Sequence, residues 1–525
     1  MAVIEKLLVV VLLFSQFLQL GGFKVLTLAF MGGSHYLLMD EISNILHKRG
    51  HEVRMLLQEG VRLTPGRHYE HSDTYQVTKW SASENVIDEY NKWFHNFTKD
   101  CLKGRTTVHS YLDLMGHLAS QCHFVLNESR TLSSLKQEKF HLAVIDAFNP
   151  CSFLVAEKLG LPFVAVYPGT FVNAPQAGIP SPLSYVPLAQ SLLSDRMDFW
   201  ERLKNCLMSL FAPKIKNQIY DKFDNVIREH FPATPRPALP ELYLKAELWI
   251  YDTDFSIEFV RPLLPSTVYI GGLLAKPAKP LPQEFEDFIE STGEAGFIIV
   301  TLGSMLSSIP FPQLLKEINK SFAQLPQGVI WRYQVSHWPK EINLAPNVKI
   351  AEWLPQNDLL GHPKVRLFVT HGGLNSLMES VYHGVPVVGI PLFGDQHDNM
   401  IRVEARNMGL SVSIDQLEAN SFGSTMKQVI GDQRYKAAAE GLSTILRSHP
   451  FPPEQRLAGW IEHVLKVGSG THLQPHAFHQ MWYQQYLLDV WLFLIASLLG
   501  MLYLCLKLIG YITLKACNTG KQKQA

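Results

Sequence analysis

Short apolar, β-branched runs separated by helical periods recur through most of this chain, and that alternation leaves few folds open. The first run covers residues 23–30. Leu38, Ile42, Ile45 and Leu46 then make a helical stripe that Gly50 ends. Further strands are predicted at 53–57, 142–145, 163–166 and 248–251. A Gly- and Pro-rich stretch over 271–282 suits an extended linker, and after it the alternation restarts with 297–302, 329–333, 348–351, 367–370 and 385–390. Strands spaced by helices in this way form parallel sheets covered on both faces. At 525 residues the chain is too long for a single core. The expectation is therefore two Rossmann-like α/β domains facing across a cleft, over 23–280 and 281–485.

The two ends read differently. Residues 1–22 carry an apolar run behind Lys6 and are expected to be a secretory signal. The uncharged stretch 490–506 predicts a single-pass anchor over 486–508, followed by a tail over 509–525. Lys515, Lys521 and Lys523 make that tail positive with no acidic residue, which places it in the cytosol and the bulk of the chain in the lumen or outside. Lys523 and Lys521, third and fifth from the end, resemble the dilysine retrieval signal of endoplasmic reticulum membrane proteins. Three sequons, at Asn96, Asn127 and Asn319, would be open to glycosylation there.

Lys plus Arg equals Asp plus Glu at 47 each, so no global field recruits nucleic acid. Cys101, Cys122, Cys151 and Cys206 permit disulfides in the lumenal part without fixing their pairing. Neither a CxxC nor a Cys/His cluster has the spacing of a zinc site, and no metal or other cofactor is expected.

Chemistry concentrates in the second half. Thr370-His371-Gly372-Gly373 follows a predicted strand and opens a predicted helix, so glycines bring the backbone close to an anionic ligand and the helix N-terminus offers oriented N–H groups to a pyrophosphate. Asn375 and Ser376 sit in the first turn. Glu379, one turn deeper on the face of Asn375, can accept hydrogen bonds from ribose hydroxyls. Trp353 offers a flat face to a base and Gln356 an amide to its edge. Near the N-terminus, Met31-Gly32-Gly33-Ser34-His35 again follows a strand with glycines, and Asp146 ends a later strand, where it could also cap the next helix.

These segments, Trp353 to Leu360, Phe368 to Glu379 and Pro391 to Gln396, resemble the signature of the UDP-glycosyltransferase superfamily, of the vertebrate microsomal drug- and lipid-conjugating type. The resemblance spans nearly the whole chain, and Gly32 to Tyr36 and Ala246 to Leu264 look most like its 3A family. It implies a GT-B fold, with an N-terminal domain for a small lipophilic acceptor and a C-terminal domain for a UDP-sugar co-substrate. It is compatible with a homo- or hetero-oligomer. Residue by residue, it gives Trp353 and Gln356 to uracil, His371, Gly373, Asn375 and Ser376 to the diphosphate, and Glu379 to the ribose. It gives Asp395 and Gln396 to the transferred sugar and the Gly303-Ser304 loop to the phosphates. His35 becomes the general base, with Asp146 orienting it. Arg332 stays open between a core-edge cation and a ligand contact. In glucuronate-using relatives the segment after Pro391 resembles Leu-Phe-Ala-Asp-Gln-Pro-Asp, so Gly394 and His397 depart from the pattern and put glucuronate in doubt.

Two other enzyme classes fit poorly. Asp252-Thr253-Asp254 has the form of a metal-binding carboxylate pair in a metal-dependent GT-A glycosyltransferase, but it lies far from the nucleotide signature and reads as a polar loop. A nicotinamide oxidoreductase needs GxGxxG after a strand, and neither early glycine pair has that spacing. A lumenal binding protein that keeps the fold without turnover is the non-enzymatic alternative; His35 and Asp146 argue against it, because a binder needs no base.

Overall fold

A computed structural model describes residues 22–60, 74–171, 173–304, 306 and 308–522. The expected signal segment and Lys523 lie outside the described residues.

Two parallel sheets organise residues up to His472. The first has seven strands in the order β3-β2-β1-β4-β5-β6-β7. They are β1 (Lys24–Ala29), β2 (Glu52–Glu59), β3 (Gln76–Ser81), β4 (Leu142–Asp146), β5 (Phe163–Tyr167), β6 (Leu248–Tyr251) and β7 (Thr267–Tyr269). The second has six strands in the order β10-β9-β8-β11-β12-β13. These are β8 (Phe297–Thr301), β9 (Gly328–Arg332), β10 (Val348–Ala351), β11 (Val365–Thr370), β12 (Val387–Gly389) and β13 (Gly409–Ser411). The central strands β4, β8 and β9 are buried at every residue, as continuous apolar runs between two helical layers must be. One large apolar cluster fills the first domain, and two flank the second sheet.

Each sheet reverses its strand order once. β1 lies between β2 and β4, and β8 lies between β9 and β11. In open parallel sheets the loops at the carboxyl ends of the two strands flanking that reversal diverge and leave a crevice. His35 opens the helix that follows β1 and Asp146 ends β4, while the loops after β8 and β11 carry Ser304 and His371.

Local chemistry sets the helix ends. Asn149 caps the helix Pro150–Leu159 by accepting from Cys151 N at 3.0 Å, Pro150 takes the first helical position, and Gly160 closes it in the left-handed conformation. The helix Leu374–His383 ends at left-handed Gly384. Beyond the second sheet the chain returns to the first. In the helix Pro453–Val467, Glu462 receives Arg49 Nε at 2.7 Å and Arg456 Nη1 donates to Tyr269 O at 3.0 Å.

Three expectations meet structural detail. Cys122 and Cys151 form a disulfide, leaving Cys101 and Cys206 as free thiols. Asn96 and Asn127 are exposed, but Asn319 is only 8% exposed; its Nδ2 donates to Asn343 O at 2.9 Å and its Oδ1 accepts from Ala345 N at 3.0 Å. That sequon is therefore closed in the folded chain, which corrects its reading as accessible. The carboxylates of Asp252 and Asp254 are buried in backbone contacts. Asp252 Oδ1 accepts from Gly272 N and Leu273 N, each at 3.1 Å, and Asp254 Oδ1 from Ser256 N at 2.7 Å. Asp252 fastens the end of β6 to the interdomain linker, while Asp254 holds its own loop and meets His449 Nε2 at 2.9 Å, a polar-loop role for both.

Residues 473–525 form a unit of their own. Its helix Leu488–Gln522 contains the apolar span Leu488–Lys515, whose 28 residues extend for about 42 Å, enough to cross a membrane. The helix does not stop at the expected 508. Lys507 lies over the Tyr503 ring at 5.6 Å and the apolar sequence continues past it.

Candidate active site

A cleft of about 890 Å³ runs between the two sheets' carboxyl edges. Its lining includes His35, Ser304, Trp353, Gln356, His371, Gly373, Asn375, Ser376, Glu379, Asp395 and Gln396. Of the twelve residues expected to form the site, these eleven line the cleft; the twelfth, Asp146, lies directly behind His35, 1% exposed.

His35 stands in the first turn of the helix Ser34–Lys48, which Gly33 starts with φ +65°. Its Nδ1 meets Asp146 Oδ2 at 2.9 Å. The other carboxylate oxygen accepts from Phe148 N at 3.0 Å, so Asp146 is held from both sides. Asn149, not Asp146, caps the helix Pro150–Leu159, and the Asp146 carboxylate turns to His35 instead. Phe148 packs edge-on against the imidazole at 5.0 Å. With Nδ1 engaged, Nε2 is the ring nitrogen left to face a ligand.

The two domains approach closely at this point. A Cβ at Gly33 would stand 2.9 Å from Ser304 Oγ across the cleft, so a side chain there would push the loops apart. On the far side, the ring of His371 sits between two glycines: a Cβ on Gly303 or on Gly373 would come within 2.6 and 2.5 Å of it. Burial, helped by the Arg332 charge, pushes the His371 pKa down to about 4, so the imidazole is neutral at physiological pH and acts as a hydrogen-bonding group.

Arg332, left open between a core-edge cation and a ligand contact, sits at the core edge with its side chain in the cleft lining. It is 7% exposed, donates from Nη1 to Gly303 O, stacks its guanidinium 5.4 Å from the Trp353 ring centre, and still lines the cleft. Gln356 Nε2 donates to Ser376 Oγ at 3.1 Å and to Glu379 Oε2, joining the short helix Gln356–Leu360 to the helix Leu374–His383. The N-terminus of the latter, with Gly373 before it and Asn375 and Ser376 in its first turn, points its N–H groups at the cleft lining.

At the cleft's other end Gln396 Oε1 accepts from Leu392 N at 2.9 Å and Phe393 N at 3.1 Å, which fixes the amide and leaves its NH₂ for a ligand. Burial raises the pKa of Asp395. Sequence reasoning missed Asn399, whose Nδ2 donates to Asp395 Oδ2 and to Gly372 O, both at 2.9 Å, tying Asp395 to the glycine loop. Its spacing of four from Asp395 at a helix start was the available signal. It also missed an interdomain latch, Glu258 to Arg402 at 2.7 Å, for which nothing local in the sequence gives notice. One wall of the cleft is formed by Trp93 and Phe97, stacked at 5.2 Å, and Phe97 meets Phe393 of the second domain at 5.3 Å.

The family model described as "UDP-glucoronosyl and UDP-glucosyl transferase" matches residues 23–523. The chain is 53% identical over 502 residues to UDP-glucuronosyltransferase 3A1 of Bos taurus, covering 96% of each chain. It is 51% identical over 487 residues to UDP-glucuronosyltransferase 3A2 of Homo sapiens, covering 93% of each. Among solved structures, the calicheamicin glycosyltransferase CalG4 aligns with a TM-score of 0.57 at 18% identity, over 85% of this chain and 98% of that one, a likeness of fold. With a full-length family match and two parallel-sheet domains closing on one cleft, the chain belongs to the UDP-glucuronosyl and UDP-glucosyl transferase family and is a UDP-sugar glycosyltransferase of the GT-B fold.

Proposed function

We propose that the chain transfers a neutral hexose, glucose or N-acetylglucosamine, from UDP to a hydroxyl of a small lipophilic acceptor, with inversion at the anomeric carbon. The observation that carries the mechanism is the 2.9 Å contact between Nδ1 of His35, which lines the cleft, and Oδ2 of the buried Asp146 behind it. His35 Nε2 takes the acceptor's proton as its oxygen forms the bond to the anomeric carbon, and the Asp146 carboxylate stabilises the imidazolium. The bond to the UDP oxygen breaks on the opposite face. The leaving diphosphate is received by the N-terminus of the helix Leu374–His383, by Ser304 and by His371, where fixed dipoles offset the developing charge. Trp353, backed by Arg332, and Gln356 hold uracil; Glu379 holds the ribose; Asp395 and Gln396 hold the sugar hydroxyls. The proposal uses no metal or other cofactor. The aromatic wall of Trp93, Phe97, Tyr111 and Phe148 suits a lipophilic acceptor.

Two features support a neutral sugar. A glucuronate carboxylate calls for a cation, but burial lowers the pKa of His397, keeping it uncharged, and Arg402 is committed to Glu258. Beside them, Asp395 and Asp398 are acidic. Incubating membranes that carry the protein with UDP-glucose, UDP-N-acetylglucosamine and UDP-glucuronate and one promiscuous phenol is expected to yield hexoside or N-acetylhexosaminide as the main conjugate by mass. Efficient glucuronide formation with no transfer from either neutral donor would overturn this choice of donor.

The same proposal places both domains in the lumen of the endoplasmic reticulum, anchored by the helix Leu488–Gln522, with the basic tail cytosolic. In that compartment Asn96→Gln and Asn127→Gln are each expected to remove one glycan's mass on a gel, and Asn319→Gln to remove none. A mobility shift for the Asn319 variant alone would contradict the closed sequon.

A further inference from the structure

Outside the cleft, three metal-ligating side chains meet at the back of the first domain. We propose that His123, His230 and Glu229 form a zinc site that clips the helix Val108–Asn127 to the last turn of the helix Phe199–His230. His123 Nδ1 lies 3.2 Å from His230 Nε2 and 3.1 Å from Glu229 Oε2, and His230 Nε2 lies 3.8 Å from Glu229 Oε1. Two ligands each about 2.0–2.1 Å from a tetrahedral zinc stand about 3.3–3.4 Å apart. The two ring nitrogens already stand at nearly that distance, and one atom from each of the three side chains lies within 4.8 Å of the others, so a small turn of the exposed Glu229 carboxylate closes the set. Two imidazoles and one carboxylate, with a fourth position left to water, are a donor set that zinc accepts.

The surroundings hold these ligands in place. Cys122, next to His123, is tied by its disulfide to Cys151 of the helix Pro150–Leu159. From the same helix Lys158 Nζ donates to His230 O at 2.6 Å, fixing the backbone beneath the second ligand. His230 is 6% exposed, so its ring is held in place by the packing around it. Among the described residues, Lys158 is a cation beside His230, and the Glu229 carboxylate offsets its charge. The ligands come from positions 107 residues apart, which is why no local spacing announced them.

The clip would bear on function without touching the reacting atoms. Tyr111 and Leu114 on the first helix and Ile219 and Tyr220 on the second line the acceptor side of the cleft. Zinc that locks these helices together would stiffen that wall.

The competing account is a plain hydrogen bond between the two imidazoles, and a metal probe separates the two. Full-length protein purified in detergent without an oligohistidine tag is titrated with Co²⁺, then with Zn²⁺ in competition. The expected result is one equivalent of Co²⁺ with the visible absorption of a tetrahedral site, displaced by Zn²⁺. His123→Asn and Glu229→Gln should each weaken binding at least ~10-fold. Both variants should keep the metal-free thermal midpoint and lose the upward shift that Zn²⁺ gives the parent. His463→Asn serves as control, because His463 and His472 form a second, exposed imidazole pair at 3.1 Å without a carboxylate partner in that contact. Absence of a Co²⁺ band, equal binding by the parent and His123→Asn, or loss of the band in His463→Asn would each overturn the proposal.

Discussion

Replacing His35 with Ala is expected to lower turnover by about 10²- to 10⁴-fold while leaving UDP binding intact. The separation follows from the architecture. His35 and Asp146 stand on the first sheet, whereas Trp353, Gln356, His371 and Glu379 stand on the second. Loss of the imidazole removes the proton acceptor and leaves the nucleotide's partners in place. Asp146→Asn should be severely impaired too, since it keeps a hydrogen-bonding atom beside Nδ1 but cannot stabilise the imidazolium. UDP affinity measured by calorimetry, beside turnover with a weakly acidic aliphatic alcohol, checks both. Such an alcohol is the decisive acceptor, because a phenol ionises more readily and can partly do without a base. Near-parental rates for His35→Ala with the alcohol would remove His35 from the role of base.

Much of this arrangement was legible in the sequence, for a physical reason. Central parallel strands such as β4 and β8 are buried on both faces and read as apolar runs, and the glycines beside His35 and His371 mark close approaches of the backbone. Edge elements are less visible. Of β3 only Trp80 is buried, so its pattern resembles a surface loop, and three-residue β7 and β13 are too short to show a period. Contacts built across the chain left no trace either. The Glu258–Arg402 latch and the pairing of Cys122 with Cys151 depend on how distant segments dock. Asp146 was visible as a polar residue ending an apolar strand, and the family resemblance already paired it with His35; the residues alone did not, because that contact depends on β1 and β4 being neighbours.

Gly303→Ala tests the nucleotide side as directly as His35→Ala tests the acceptor side. The residue has φ +84°, and an added Cβ would stand 2.6 Å from both Cε1 and Nε2 of His371. Two effects then combine. Left-handed backbone costs a non-glycine residue about 1–2 kcal/mol, and the imidazole must leave its place between Gly303 and Gly373. The carbonyl of Gly303 also receives Arg332, so the cation behind Trp353 moves with the loop. Displacement of binding groups by about 1 Å can cost about 10²-fold, and the loss here is expected mainly as a raised KM for the UDP-sugar, with acceptor KM little changed. Gly50→Ala isolates the backbone part, because Gly50 has φ +89° and nothing within 4 Å of its added Cβ. That variant should be less stable yet kinetically normal. Adding His371→Ala to Gly303→Ala should cost little more than His371→Ala alone, since both changes remove the same contact. If the two losses simply multiplied, His371 would not be the group through which Gly303 shapes the donor site.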